Sequence, residues 1–221
     1  MKESLPDLLR WLDLAGVFAN AVLGGALARR YRFDPIGFAV LATVSGLGGG
    51  MIRDVLLQHG TPIALTDDAY LITALAGAGF AFLVSSEGRA WHSVFPFVDA
   101  LALGCWAAVG TQKALLFGLG WLPALFLGTV TAVGGGIIRD LCVGNVPTIF
   151  GGNTLYATCA LVASGVMVVM KDAGQTNVGA LLATAVGALL CLMARWRGWM
   201  LPEGVNVRSL PRRVVGRRPD R

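Results

Sequence analysis

The sequence has few charged residues. Lysine, arginine, aspartate and glutamate make up 14% of its 221 residues, whereas soluble domains carry about 25%. Its four cysteines lie in apolar segments without metal-ligand spacing, which is typical of small buried hydrophobic residues, and its two histidines lie in predicted loops. Neither a Walker loop nor a pairing of a nucleophile with a base occurs. The sequence therefore indicates no soluble domain, no metal site, no cofactor and no enzyme activity.

The net charge of +5 does not indicate nucleic-acid binding, because the positive charge is concentrated at one end of the chain. The last fourteen residues contain six arginines: Arg208, Arg212, Arg213, Arg217, Arg218 and Arg221. A basic tail of this kind is typical of the cytoplasmic side of a membrane protein. We expect it to contact anionic lipid.

The sequence is rich in long apolar blocks, and 55% of its residues are hydrophobic. A membrane-spanning helix needs about 20 mostly apolar residues. Seven segments are candidates: 14–28, 35–57, 69–85, 95–117, 121–143, 153–170 and 178–193. Lipid cannot satisfy exposed backbone groups, so the spans should be helices. The sequence predicts an all-α integral membrane protein with seven transmembrane helices.

An internal repeat divides these spans into two sets of three. A shift of 86 residues aligns Asp13 with Asp99, and aligns Gly-Gly-Gly-Met-Ile-Arg-Asp at 48–54 with Gly-Gly-Gly-Ile-Ile-Arg-Asp at 134–140. With three spans per repeat, the second copy enters the membrane from the opposite side, as in many transporters. We expect an N-terminal segment (1–13), a first repeat (14–86), an inverted second repeat (95–170), a seventh span (178–196) and a basic tail (197–221).

The basic residues also predict the orientation of the chain. The loop after the first span holds three arginines and the loop after the third holds Arg89, whereas the loop after the second holds Asp67 and Asp68 and no lysine or arginine. Positive loops stay in the cytoplasm. The prediction is a protein of the cell inner membrane with its N-terminus outside and its C-terminus in the cytoplasm.

The two glycine triplets, Gly48, Gly49 and Gly50 in span two and Gly134, Gly135 and Gly136 in span five, lie past the middle of their spans. One interpretation is close packing of helices through small residues. The other is a kink or partial break whose freed carbonyls line a path for an ion or solute, since three consecutive glycines weaken a helix.

An arginine–aspartate pair follows each triplet: Arg53 and Asp54 in the first repeat, and Arg139 and Asp140 in the second. The arginines could snorkel to the membrane surface. Alternatively, both pairs face the protein interior, each lining one vestibule, because charges inside a span are costly. A straight-helix estimate places the two pairs on opposite sides of the membrane, so no direct bridge between the repeats is expected.

Three further charges stand inside or beside the predicted spans. Lys113 in span four either snorkels or provides a fixed positive charge at a gate, and its counterpart in the first repeat is Leu27. Asp13 and Asp99 are expected to begin equivalent helices, where the helix dipole favours negative charge.

Seven spans in a three-plus-three-plus-one pattern, with Gly-Gly-Gly-x-Ile-Arg-Asp in spans two and five, resemble the bacterial and archaeal TRIC family of trimeric intracellular cation channels, a group also described as glycine transporters. The resemblance implies a homotrimer with a pore in each subunit, formed by the glycine-kinked second and fifth helices, that conducts potassium and sodium. It also implies a gating role for Lys113. The alternative is a secondary transporter for glycine or another small zwitterion, and a third hypothesis is a purely structural membrane protein.

Overall fold

The computed structural model describes residues 7–84, 89–150 and 155–201. Within these ranges the chain forms seven α-helices and two short 3-10 helices, which confirms the predicted all-α fold. The α-helices are α1 (Asp7–Arg30), α2 (Pro35–Leu57), α3 (Asp68–Leu83), α4 (Arg89–Leu116), α5 (Trp121–Cys142), α6 (Tyr156–Asp172) and α7 (Thr176–Arg197). The 3-10 helices, Ile63–Leu65 and Thr148–Phe150, follow α2 and α5.

The helix ends follow local sequence signals. Asp34 caps α2 by accepting a hydrogen bond from the Gly37 backbone N–H at 2.7 Å, and Pro35 occupies the first helical position, where its missing N–H costs nothing. Helix α7 ends at Arg197 and is followed by Gly198, whose φ of 64° is a left-handed conformation that glycine adopts without strain.

Helices α1 and α4 begin earlier than the sequence predicted. Helix α1 starts at Asp7 rather than at 14, and α4 starts at Arg89 rather than at 95. Asp13 and Asp99 therefore lie inside their helices, and the prediction that they begin helices is wrong. The apolar blocks marked the lipid-crossing part of each helix, but hydrogen bonding of the backbone continues into the flanking polar residues.

Two sets of three helices repeat the same packing. Helix α1 contacts α2 and α3, and α2 contacts α3; in the same way α4 contacts α5 and α6, and α5 contacts α6. The two sets meet where α1 contacts α4 and where α2 crosses α5. Helix α7 packs against α4 and α6. Helix α4 thus contacts five other α-helices, since it also contacts α2.

The surface of the bundle is apolar, as expected in lipid. Large hydrophobic side chains such as Ile36, Leu83 and Leu122 are exposed on the outer faces of the helices, where a soluble protein would carry polar residues. By length and composition, five helices can cross a membrane: α1, α2, α4, α5 and α7. Helices α3 and α6, with 16 and 17 residues, are shorter. Cys142 is exposed on this surface, contrary to the expectation that all cysteines are buried.

The arginines of the predicted tail, from Arg208 onwards, lie outside the described residues. The same is true of the first two residues of the predicted sixth span.

Candidate functional site: two charge clusters at the α2–α5 crossing

The glycine triplets form the contact between α2 and α5. A side-chain carbon on Gly49 would collide with the carbonyl oxygen of Thr131, and one on Gly135 would collide with the carbonyl oxygen of Ser45. The described backbone is α-helical through both triplets, so the expectation of a partial break with freed carbonyls is wrong, while a kink at the glycines stays a prediction. At these two positions, glycine allows two backbones to approach more closely than any side chain would permit.

The other four glycines of the triplets have different surroundings. Gly48 and Gly134 also face the opposite triplet: a carbon added to Gly48 would lie 3.5 Å from Gly135 Cα, and one added to Gly134 would lie 3.2 Å from Gly49 Cα. Gly50 and Gly136 have more room: among the described residues outside the helix's own backbone, a carbon added there would lie nearest to the Nη2 atom of Arg53 or Arg139, at 3.6 and 3.8 Å. The third glycine of each triplet therefore faces its own arginine rather than the helix crossing.

A first charge cluster lies at one side of the crossing and comprises Asp13, Arg53, Asp54, Tyr70 and Lys113. Asp54 Oδ1 accepts hydrogen bonds from Arg53 Nε and from Lys113 Nζ, each at 2.7 Å. Asp13 Oδ2 accepts a hydrogen bond from Tyr70 Oη at 2.9 Å and lies 3.7 Å from Arg53 Nη1. The Arg53 side chain is 0% exposed and that of Lys113 is 12% exposed. Snorkelling therefore does not describe either side chain.

A second charge cluster comprises Asp99, Arg139, Asp140, Tyr156 and Arg195. Asp140 Oδ1 accepts hydrogen bonds from Arg139 Nε and Nη2, at 3.1 and 3.0 Å. Asp99 accepts a hydrogen bond from Tyr156 Oη at 2.9 Å, and its other oxygen lies 3.4 Å from Arg195 Nη2. Four of these residues are the repeat counterparts of Asp13, Arg53, Asp54 and Tyr70. The inverted repeat thus builds the same charged arrangement twice.

The two clusters differ in the fourth charged side chain. Lys113 of α4 pairs with Asp54 in the first cluster, whereas Arg195 of α7 pairs with Asp99 in the second. Lys113 belongs to the second repeat and Asp54 to the first, so this ion pair joins the two repeats, a contact that the sequence analysis did not predict. The expectation of no direct bridge concerned the two arginine–aspartate pairs, and among the described residues each of these pairs stays within its own helix.

Each cluster combines two carboxylates with two cationic side chains, so the formal charges cancel in both. A buried charge is tolerated only when it is paired in this way. The second cluster is the more open: the Arg139 side chain is 16% exposed and that of Arg195 35%. The protein therefore covers the cationic side chains of the second cluster less completely than those of the first.

Asp54 and Asp140 also hold the chain that follows their helices. The second oxygen of Asp54 accepts a hydrogen bond from the Ile63 backbone N–H at 3.0 Å, and that of Asp140 accepts one from Thr148 at 3.3 Å. Both donors belong to the 3-10 helices. These contacts explain why a short aspartate follows the arginine: one carboxylate bridges a guanidinium and a loop.

Sequence reasoning missed Asp13, Tyr70, Asp99, Tyr156 and Arg195 as members of the site. The signal for four of them was present, because Tyr70 aligns with Tyr156 at the same shift that aligns Asp13 with Asp99. Polar residues that recur in both copies of a membrane repeat indicate the same buried contact in each. Arg195 has no such counterpart, and only the packing of α7 against α4 reveals its role.

A separate ion pair, outside both clusters, joins Arg10 to Asp67 near the start of α3. Arg10 Nε and Nη2 donate hydrogen bonds to Asp67 Oδ2, at 3.0 and 2.8 Å, and the other oxygen of Asp67 caps α3 through the Ala69 N–H. The hydrogen bond from Arg10 lowers the pKa of the Asp67 carboxyl group. The pair ties the start of α1 to the start of α3.

Comparisons with known proteins identify relatives along nearly the whole chain. The glycine transporter family matches it twice, over residues 10–86 and 96–172. A UPF0126 membrane protein of Deinococcus radiodurans is 39% identical over 213 residues, which cover 94% of this chain and 95% of that protein. The UPF0126 inner membrane protein YadS of Escherichia coli is 36% identical over 156 residues, 70% of this chain and 75% of that protein.

A solved structure shares the fold. The TRIC trimeric intracellular cation channel orthologue from Rhodobacter sphaeroides superimposes with a TM-score of 0.81 and 29% identity, covering 87% of this chain and 100% of that one.

The inverted three-helix repeats, the glycine crossing and the two charge clusters define a multi-pass membrane protein of the channel and transporter class rather than an enzyme. The chain belongs to the glycine transporter family, and its resemblance to the TRIC channels is confirmed.

Proposed function

We propose that the protein is a channel for monovalent cations, chiefly potassium and sodium, with a conduction path inside each subunit along the crossing of α2 and α5. The observation that carries this proposal is the pair of inverted charge clusters, one on each side of the glycine crossing. An ion that crosses the subunit between α2 and α5 meets Asp54 at one end and Asp140 at the other. The structural similarity to a TRIC cation channel also supports a channel for cations.

Selectivity for cations follows from the fourth charge of each cluster. While Lys113 is paired with Asp54, the first cluster is formally neutral and attracts neither cations nor anions. If Lys113 moves away, two carboxylates remain with Arg53 alone, and the cluster becomes negative. The same argument applies to Arg195 in the second cluster. Release of these two side chains would therefore open the path and favour cations in one step, which makes Lys113 the gating residue of the proposal.

The test is reconstitution into planar bilayers under a potassium chloride gradient. We expect unitary currents that reverse near the potassium potential. The variants Asp54→Asn and Asp140→Asn should shift the reversal potential toward zero, because each removes a carboxylate from the path. Currents that reverse near the chloride potential, or an absence of currents, would contradict the proposal.

The assembly we propose is a homotrimer, because the matched Rhodobacter sphaeroides protein is described as trimeric. Each subunit would carry its own path, since both charge clusters are complete within one chain. Light scattering coupled to size-exclusion chromatography should give the mass of three subunits after subtraction of detergent. A monomer or dimer with full conductance would refute the trimer and leave the channel intact.

For localisation we propose the cell inner membrane, with the N-terminus outside and the tail in the cytoplasm. The inner membrane location of the related YadS protein supports the first part. The placement of basic residues supports the orientation. The tail, residues 197–221, would bind anionic lipid weakly, at about 1 kcal/mol for each basic residue near the surface.

A second candidate function is secondary transport of glycine or another small zwitterion. The description of the matching family favours it. The first cluster favours it as well, because a guanidinium lies there beside carboxylates. The guanidinium could bind the carboxylate of an amino acid, and the carboxylates could bind its ammonium group. Among the described residues, the Nη1 and Nη2 atoms of Arg53 have no hydrogen-bond acceptor, so they could bind a carboxylate. Counterflow of radiolabelled glycine in proteoliposomes, without unitary currents, would select this function over a channel.

A further inference from the structure

The isoleucine of each Gly-Gly-Gly-x-Ile-Arg-Asp motif lies on the glycine triplet of the other repeat. Ile52 Cδ1 would be 3.2 Å from a carbon added to Gly134, and Ile138 Cδ1 would be 2.9 Å from one added to Gly48. The tip of each isoleucine thus occupies the space that a side chain on the opposite glycine would need. Ile52 and Ile138 are counterparts in the repeat, so the contact is made twice in inverted form.

These contacts bracket the crossing along the membrane normal. Ile52 follows Gly49 by three residues toward one membrane face, and Ile138 follows Gly135 by three residues toward the other. At a rise of about 1.5 Å per residue, each isoleucine backbone lies roughly 4.5 Å from the crossing, in opposite directions. The centre of the bundle therefore holds two apolar layers with the glycine contact between them.

Each layer separates the crossing from one charge cluster. Ile52 directly precedes Arg53 and Asp54, and Ile138 directly precedes Arg139 and Asp140. On the proposed path along the crossing of α2 and α5, an ion that leaves one cluster for the other passes both isoleucines, and neither offers it a hydrogen-bonding atom. Apolar constrictions of this kind close a path by excluding water.

We propose that Ile52 and Ile138 are two apolar gates in series, one for each mouth of the conduction path. The inference rests on the proposed channel function and adds the residues that determine conductance at rest. The reason for two gates is the inverted repeat, which gives each side of the membrane its own copy. The ion pairs at Lys113 and Arg195 lie beyond these gates, and their release favours opening by making each cluster negative, whereas the isoleucines exclude water from the crossing while the path is closed.

The test is a set of alanine variants recorded in planar bilayers. Ile52→Ala and Ile138→Ala should each change open probability by less than about twofold, because the remaining isoleucine still excludes water. The double variant should raise open probability at least about tenfold, since each apolar layer has then lost most of the isoleucine side chain that forms it. Equal behaviour of the double variant and the unaltered protein would overturn the gate assignment while leaving the channel function standing.

Matched controls come from the neighbouring position of the same motif. Met51 and Ile137 are repeat counterparts that pack against the apolar core. Met51→Ala together with Ile137→Ala should remove a comparable apolar volume one residue away and leave open probability unchanged. If these controls open the channel as strongly as the isoleucine variants, a general loosening of α2 and α5 accounts for the effect and the proposal fails.

A second measurement does not depend on ion conduction. In protein whose four cysteines are replaced by alanine, Ile138→Cys should resist a small cationic thiol reagent added from the face nearest the first cluster. Adding Ile52→Ala should make the same cysteine react at least about tenfold faster, because water now reaches it from that face. Equal reaction rates with and without Ile52 would refute the gate even if the protein proved to be a transporter. An absence of currents from every variant would refute the channel function, and the thiol rates would still decide the gate.

Discussion

Lys113 Nζ lies 2.7 Å from Asp54 Oδ1, so a side chain of the second repeat closes an ion pair with the first. The contact joins the end of α4 to the end of α2. No counterpart exists in the other repeat, because Leu27 stands at the position equivalent to Lys113. A movement of α4 relative to α2 would break this pair without disturbing the bond between Arg53 and Asp54 within α2.

Replacing Lys113 by methionine should increase both open probability and cation preference. The change removes a hydrogen bond to a charged group, worth about 1.5–3 kcal/mol, so open probability should rise about tenfold or more. The first cluster becomes negative, and the reversal potential should move toward the potassium potential. Single-channel recording under a salt gradient measures both quantities.

Lys113→Arg is the matched control, because arginine keeps the positive charge near Asp54. Its currents should resemble those of the unaltered protein. If Lys113→Met leaves open probability and reversal potential unchanged, Lys113 is a structural residue and not a gate.

Adjacent glycines of one triplet should respond oppositely to alanine. In Gly49→Ala the new carbon meets the backbone of Thr131, and the resulting overpacking should cost about 1–3 kcal/mol. In Gly50→Ala the nearest atom is 3.6 Å away, and the gain in helix propensity should stabilise the protein by up to about 1 kcal/mol. Thermal unfolding in detergent, followed by tryptophan fluorescence, compares the two.

The second repeat provides the replicate: Gly135→Ala should behave like Gly49→Ala, and Gly136→Ala like Gly50→Ala. Equal melting temperatures for all four variants would show that the crossing tolerates a methyl group and is not held by close contact of the backbones.

Arg195→Gln should change the charge at the second cluster, on the opposite side of the crossing from the cluster that Lys113→Met changes. Asp99 keeps its hydrogen bond from Tyr156 but loses a cation, so the second cluster becomes negative. Because the two clusters are inverted, the current–voltage curve should rectify in the opposite sense to that of Lys113→Met.

Arg197→Gln serves as the control on the same helical turn, since Arg197 stacks on Trp196 and takes no part in the cluster. Its current–voltage curve should match that of the unaltered protein. Rectification in the same sense for the Lys113 and Arg195 variants would contradict the inverted placement of the two clusters.

The orientation can be tested with single cysteines in protein whose four native cysteines are replaced. Thr61 and Val146 are exposed in the segments after α2 and α5, and the proposed topology places them on opposite sides. Thr61→Cys in intact cells should react with an impermeant thiol reagent, and Val146→Cys should react only after the membrane is opened. The reverse pattern would invert the proposed topology and exchange the sides of the two clusters.

The position of the helices could be predicted from sequence because it depends on local composition. An apolar block long enough to span the membrane must form a helix, because lipid cannot satisfy its backbone hydrogen bonds. Helix α2 accordingly has the bounds that the sequence predicted. The start of α4 could not be predicted in this way, since its first turns mix Arg89, His92 and Ser93 with apolar residues and therefore lack the continuous apolar block by which the spans were recognised.

The repeat and its inversion were likewise determined by the sequence alone. Two copies of Gly-Gly-Gly-x-Ile-Arg-Asp, 86 residues apart with three spans in each repeat, require opposite directions through the membrane. The motif also indicated which parts of α2 and α5 belong to the candidate site. It could not distinguish a broken helix from a close crossing, because that choice depends on whether a second backbone lies against the glycines.

Only the tertiary structure decided which charges meet. The contacts of Lys113 with Asp54 and of Arg195 with Asp99 join residues 59 and 96 positions apart, on helices whose rotation and depth the sequence does not state. A helix presents a different side chain every 100° or so, and its neighbours select the face that is buried. The sequence alone therefore determined the helices and their inverted repeat, while the packing of α4 and α7 decided how the two charge clusters are completed.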